Sequence, residues 1–489
     1  MATELLRSAA ADRVTLTADS TDRAQSHILA ILPRGEAIRN FTHSGALDRV
    51  ARDAELSLLS VIPDAECFAS LVGRYGRVIE LEEPAERYPV RLLRDILDMA
   101  HGRHLWSAAA RERWRLRDHE ARTVAQKLKR VGRKALARPF ASARGVALLE
   151  RAERAASRAL STTDRYIQLY RELRPTLVFN GSHVHSRNAI AAVHAARWLG
   201  IPTATFIFSW DNLTSQGRVL PAYDDYLVWN ADLKRQLLEI YPAVRPERVH
   251  VTGTPQFDLH FREEMHWSRE SFCARVGADP VRPLVLYSTG MAEHMPGEPL
   301  VVEQIADMLA EMKDLGAPQL LVRVYPKDRT GRFADLERRR PDILFPRAKW
   351  VDAWLTPTVE DNQLYTNTLR HVAAGVNVAS TVSLELAMFD KPVINVGYNP
   401  PGTRPRVDYV RYYDFDHYAP LVRERAVALA RSAEEMRAML RAALGDPAAG
   451  RADRRAFIER MFGETLDGRS GDRVAAVLLR LAARHQVRP

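Results

Sequence analysis

The sequence predicts an α/β protein of two parallel-sheet domains facing a cleft, with a helical insertion in the first domain and helices at the C-terminus. Three observations carry that reading. A strand–helix–strand rhythm opens the chain, it resumes after a long helical stretch, and a second rhythm of the same kind begins after Arg275. Short apolar strands separated by helices imply a parallel sheet with right-handed crossovers, covered on both faces. At 489 residues and 46% hydrophobic content the chain exceeds what one core fills and suffices for two.

The first strand is Ile28 to Leu32, followed by Pro33-Arg34-Gly35 and a helical pattern with Ile38, Phe41, Leu47 and Val50 on one face. Leu56 to Ile62 and Arg77 to Leu81 read as the next strands. Between Pro84 and Arg174 the pattern is helical, and His101 to Ala143 is dense in Arg with Trp106 and Trp114 interleaved. This stretch reads either as a solvated layer over the sheet edge or as a surface for anionic lipid, which Trp and Arg together suit. Strands return at Thr176–Asn180, Thr203–Phe208, Tyr226–Trp229 and Val249–Thr252, with a helix from Ser186 to Leu199. The second rhythm comprises strands Leu284–Tyr287, Leu320–Val324, Val376–Ala379 and Val393–Val396, with helices Pro299–Met312 and Val382–Phe389. The expected division is 25–265 for the first domain with its insertion at 84–174, 275–430 for the second, and 431–489 for C-terminal helices packed outside both.

Charge and cysteine usage narrow the setting. The net charge of +10 is carried mostly by Arg, which fits a solvated surface, an anionic substrate or an anionic membrane surface. No nucleic-acid-binding signature accompanies it, so nucleic acid ranks last as a partner. Cys67 and Cys273 stand far apart and outside any metal-ligand spacing. With Met1 to Thr21 polar and no apolar run of membrane-spanning length, a cytoplasmic protein is expected, peripheral on the membrane's inner face if it touches lipid.

Ligands of such sheets bind beyond the carboxyl ends of the strands, so the turns there are the candidate sites. Ser380 and Thr381 open the helix before Glu385, where backbone N–H groups and hydroxyls suit a diphosphate and the carboxylate suits a ribose diol. The alternative is an ordinary capped helix. Arg323 and Lys327 follow a second-domain strand and can meet a departing diphosphate. The run Ser209 to Gly217 offers Asp211 as general base, Trp210 as a platform for a sugar face, and Asn212 and Thr214 as hydroxyl readers. An Asx-type turn explains the same residues without function. His183 or His185 is a second base candidate, and Arg39 with Asn40 sits at the first strand-to-helix turn, suited to an anionic acceptor. No acidic cluster obliges a metal.

The segment NVASTVSLELAMFDKPVINV, Asn377 to Val396, resembles the donor-binding segment of GT-B transferases, in which a Ser/Thr-rich turn meets the phosphates and a following Glu holds the ribose. RVHVTGTPQFD, Arg248 to Asp258, resembles the entry to the second domain of the non-hydrolysing UDP-GlcNAc 2-epimerases and Kdo transferases. LLVRVYPKD, Leu320 to Asp328, is similar to a segment of CDP-glycerol glycerophosphotransferases, with Tyr325 where a His is common. The resemblance spans Leu177 to Asn399 and implies a GT-B fold, two Rossmann-like domains facing a cleft. It also implies a glycosyltransferase moving a sugar from a nucleotide-sugar to a polysaccharide or glycolipid acceptor, with the nucleotide-sugar as substrate and no cofactor. The double-Glu spacing of many retaining transferases and the His-Gly pair of glycerophosphotransferases are both missing, which leaves stereochemistry and the transferred group open. A CDP-glycerol-type phosphotransferase, a sugar-nucleotide epimerase and a non-catalytic nucleotide-sugar-binding scaffold are the alternatives.

Overall fold

Seven short runs, the inner five buried along nearly their whole length and the two edge runs only in part, assemble into one parallel sheet. A computed structural model describes residues 26–484 apart from 83–85, 162, 185–186 and 352. The strands are β1 (His27–Leu32), β2 (Glu55–Ser60), β3 (Arg77–Glu80), β4 (Leu177–Asn180), β5 (Thr203–Phe206), β6 (Asp225–Val228) and β7 (Val249–Val251). Their order is β3-β2-β1-β4-β5-β6-β7, every pair parallel. Chain direction across the sheet reverses between β1 and β4, and a crevice at their carboxyl ends is the expected ligand position.

The second sheet is built from β8 (Leu284–Ser288), β9 (Gln319–Arg323), β12 (Ala374–Asn377), β13 (Val393–Val396) and β14 (Ala428–Ala430). Its order is β14-β13-β12-β8-β9, again parallel throughout, with its own reversal between β8 and β12. A two-stranded antiparallel pair, β10 (Trp350–Val351) and β11 (Thr356–Pro357), stands beside it. The predicted fold class is thus observed: two Rossmann-like sheets with helices between their strands.

Between β3 and β4 run the helices Tyr88–Leu105, Ala108–Glu120, Val124–Ala137, Ala143–Leu160 and Asp164–Leu173, the helical insertion the sequence predicts. Ile96, Leu97, Met99, Val146 and Leu149 give part of it a small core of its own. Trp106 and Trp114 pack edge to face at 5.5 Å with Arg103 and Lys134 over their rings, so the tryptophans are committed within the insertion rather than presented outward.

The C-terminal helices do more than coat the outside. Ala433–Gly445 packs on β12, β13 and β14, and Ser470–Arg484 returns to the first sheet to cover β1, β4 and the helix Ala46–Asp53. Asp258, just after β7, anchors that return by accepting the backbone N–H groups of Ser470 (3.0 Å) and Gly471 (2.6 Å). No helix among the described residues is long and apolar enough to cross a membrane. The reading of Met1 to Thr21 lies outside the described residues.

Candidate functional site

The two sheets face each other across a cleft, and a cavity of about 290 Å³ lies where the ends of β8, β9 and β12 meet the first sheet's turns. Arg39, Arg323, Ser380, Thr381 and Glu385 all line it, so five of the residues singled out from sequence converge on one space.

Glu385 is 8% exposed on the helix Val382–Met388. Its Oε2 accepts the Tyr365 hydroxyl at 2.7 Å, and its Oε1 lies 3.1 Å from His260 Nε2, whose Nδ1 is 3.0 Å from Thr366 Oγ1. Each carboxylate oxygen keeps a lone pair for a further donor, which is what a diol needs. Burial, then the Glu385 charge, pushes the Tyr365 phenol well above its ordinary pKa, so it stays a donor.

The Ser380 turn is held from beneath. Asn377, fully buried at the end of β12, accepts from the Ser380 backbone N–H (3.1 Å), the Ser383 hydroxyl (3.1 Å) and Asn395 Nδ2 (3.0 Å). Ser380 Oγ accepts the Val382 N–H at 3.3 Å, and Ala379 takes the left-handed φ of +39° that tightens the turn. A buried polar network satisfied at each of these points fixes the turn's geometry.

Arg323 ends β9. Its Nη2 donates to Asp361 Oδ2 at 2.7 Å and its guanidinium lies 4.9 Å from the Tyr365 ring centroid, while the buried Nη1 has no protein partner. Asp361 is otherwise satisfied by the Lys349 N–H (3.0 Å) and Trp350 Nε1 (2.6 Å). A buried guanidinium N–H without an acceptor, aimed from a cleft-lining residue, is a place for a ligand oxygen. From the opposite sheet Arg39 enters on a π-helical turn, Arg39–His43, its Nη2 donating to Gln256 Oε1 (2.7 Å) and its Nε to Asn40 Oδ1 (2.9 Å). Burial lowers the Arg39 pKa, opposed by Glu36, Glu385 and Asp361.

The other predicted residues are placed elsewhere. Lys327 Nζ donates to Glu36 Oε1 at 2.6 Å, a bridge across the cleft rather than a lining group of the cavity. Asn40 is fully buried and orients Arg39 instead of facing the cleft. Trp210 corrects the expectation of an exposed platform. It is 6% exposed, its Nε1 donates to Thr381 Oγ1 (3.2 Å), and its ring packs on His417 (4.9 Å) and Tyr418 (5.7 Å), sealing the two domains together. Asp211 does not line the cavity; its oxygens accept the hydroxyls of Ser209 and Ser215, and only Ser209 reaches the lining. Asn212 Oδ1 accepts the Ser209 N–H at 2.8 Å and Thr214 Oγ1 donates to the Asp211 carbonyl at 3.2 Å, so both serve the turn. His183 lies in a separate, Arg-rich cavity on the first sheet's side, its Nδ1 3.2 Å from the Phe206 carbonyl. His185 lies outside the described residues.

Sequence reasoning missed His260, Tyr365, Asp361 and Gln256. His260 stands two residues beyond the quoted Arg248–Asp258 segment, a signal within reach. The helix Val359–His371, which supplies Asp361 and Tyr365, buries Asn362, Thr366, Asn367 and Thr368 as well. Asp361, Asn362, Tyr365 and Thr366 line the cavity, and with this side of the helix polar, hydrophobic periodicity does not reveal it.

No protein-family model matches the chain, and no curated protein matches it by sequence. Among solved structures it is similar to a UDP-N-acetylglucosamine 2-epimerase at a TM-score of 0.52 and 13% identity, covering 95% of this chain and 98% of that one. The UDP-GlcNAc 2-epimerase of Neisseria meningitidis bound to UDP-GlcNAc aligns at 0.51 and 12%, covering 93% of this chain and 100% of that one. That of Methanocaldococcus jannaschii aligns at 0.50 and 12%, covering 93% and 98%. These alignments run through both sheets and the cleft between them, and this chain has the GT-B fold.

Proposed function

We propose that this protein is a nucleotide-sugar-dependent glycosyltransferase that acts on a glycan or glycolipid acceptor. The observation that carries the reading is the convergence of Arg39 from one sheet with Arg323, the Ser380–Thr381 turn and Glu385 from the other on a single cleft cavity. In this assignment Glu385 holds the ribose, and the Ser380 turn with the unpartnered Arg323 Nη1 takes the diphosphate. Two guanidinium groups facing the leaving diphosphate stabilise its charge as the anomeric bond breaks. The acceptor enters from the first sheet's side, and its proton passes to Asp211 through the Ser209 hydroxyl that Asp211 binds. His183, in the neighbouring cavity, is the alternative base.

A second reading is favoured by the fold comparison, since a solved neighbour holds UDP-GlcNAc and is an epimerase. Epimerisation uses the same donor cavity and needs no acceptor. The deciding experiment is a thermal-shift screen against UDP, GDP, CDP, CMP and their sugar or glycerol conjugates, followed by product analysis. One nucleoside diphosphate is expected to raise Tm, with Glu385→Ala abolishing the shift and Asp211→Ala abolishing transfer but not binding. Preference for CMP and CDP-glycerol would replace the reading by a phosphotransferase, and a C2-inverted sugar-nucleotide formed without acceptor would replace it by an epimerase. No shift with any ligand would sink both.

A further inference from the structure

The helix Val124–Ala137 in the insertion turns its apolar side to solvent. Val124, Leu128 and Val131 recur at i, i+4 and i+7 and are 73%, 67% and 63% exposed, and Leu136 is exposed as well. Among the described residues these are four of only twelve large apolar side chains left exposed, gathered on one helix of 14 residues. Only Ala137 of the helix is buried. The inward side is the charged one: Arg130 and Lys134 pair with Asp118, and Arg133 pairs with Asp95. A surface helix of a globular protein ordinarily has the reverse arrangement.

Charge identifies what covers the stripe. The helix contains no acidic residue. Lys127 and Lys129 within it, and Arg122 and Arg138 at its two ends, are exposed and have no carboxylate partner among the described residues. Behind it lies the Arg-rich cavity, to which Lys129 and Arg133 contribute, with eight Lys and Arg side chains against the three carboxylates of Glu86, Asp95 and Asp98. An exposed apolar stripe rimmed by unpaired cations matches the headgroup boundary of an anionic bilayer, where apolar residues enter and Lys and Arg meet phosphates.

We propose that the Val124–Ala137 helix docks this protein on an anionic lipid surface, with Val124, Leu128 and Val131 entering the interface and Arg122, Lys127, Lys129 and Arg138 held at the phosphates. This docking is independent of the reaction carried out in the cleft. It keeps the protein beside any lipid-borne acceptor.

The test is flotation of the full-length protein with vesicles of phosphatidylcholine alone or mixed with phosphatidylglycerol, at low and high salt. Binding is expected only to the anionic vesicles and to weaken with salt. Leu128→Glu with Val131→Glu is expected to cut it by about tenfold or more, as is Lys127→Glu with Lys129→Glu. Because these side chains face solvent, both double variants should keep the wild-type Tm and the same nucleotide-induced shift. The proposal is overturned if the wild type ignores anionic vesicles at low salt, or if Leu128→Glu with Val131→Glu floats as well as the wild type. It is equally overturned if the wild type self-associates without binding lipid and that pair of changes makes it monomeric, because the stripe is then a contact between copies.

Discussion

At the scale of single residues, Arg323 divides its two terminal nitrogens between the protein and the cleft cavity. One of its terminal nitrogens is committed to Asp361, a carboxylate 1% exposed, and the other is buried with nothing in the protein to meet it. The first contact holds the side chain in place, and the second leaves the N–H that the proposed reading assigns to a ligand oxygen. Arg323→Ala therefore removes the cation from a buried pair while Trp350 Nε1 and the Lys349 N–H still hold Asp361. A loss of about 3 kcal/mol in urea-unfolding free energy is expected, near the lower end for breaking such a pair. Arg323→Lys keeps the charge but has no planar fork to bond Asp361, lie along Tyr365 and offer a second N–H together. It should fold nearly as well as the wild type and lose at least about tenfold in affinity for the nucleotide, roughly the worth of one charge-assisted hydrogen bond. Equal affinity in the lysine variant would mean that Nη1 does not face the ligand.

At the scale of elements, legibility follows burial. The parallel strands were readable because their runs are mostly apolar and buried, as in Ile28–Leu32 and Leu284–Leu286. The three-residue β14 and the two-residue β10 and β11 are too short to carry a pattern. The Ser380 turn was legible because Ser380, Thr381 and Glu385 are local in sequence, whereas their supports are not: Tyr365 is 20 residues from Glu385 and His260 is 125. The Ser209–Gly217 turn misled because a tryptophan among polar residues reads equally as a sugar platform or as a seal between domains, and Trp210 is the seal. Gly35 is a comparable contact whose meaning only the structure supplies. A Cβ there would stand 2.1 Å from Thr356 Oγ1 and 2.6 Å from Thr356 Cα, so the first domain's opening turn lies directly on β11. Backbone cannot yield as a flexible side chain does. Gly35→Ala should cost about 1–3 kcal/mol by overpacking, or wedge the cleft open at less cost. Calorimetry reads the first outcome and an increased radius of gyration in solution scattering reads the second; neither change would mean that the contact is dispensable.

At the scale of the whole molecule, the two sheets are joined by more than a hinge. The chain passes from the first to the second after β7 and returns with Ser470–Arg484 on β1 and β4, and side chains bridge the cleft besides. Trp210 reaches Thr381, and Glu36 in the first domain meets Lys327 in the second. Glu36 is the pH-sensitive member of this set. Burial alone would raise its pKa, but Lys327 and Arg34 outweigh burial and hold it at about 2, against an ordinary value of 4.5. A carboxylate with a depressed folded-state pKa contributes stability that is fully present above its unfolded value and lost as pH falls through the folded one. For Glu36 the window runs from about 4.5 down to about 2 and is worth at most about 3 kcal/mol. Glu153, also held at about 2 though burial opposes it, shares the window but lies inside the insertion, where it pairs with Arg94 and does not span the cleft. The two are separable by what else changes. Acid titration of the wild type should loosen the cleft together with the loss of stability, seen as a rise in radius of gyration before unfolding. Glu36→Gln should be less stable than the wild type above pH 5, converge with it near pH 2, and show the looser cleft already at neutral pH. If Glu36→Gln kept the full acid-dependent loss and the wild-type radius at pH 7, the Glu36–Lys327 bridge would not be what holds the two domains closed.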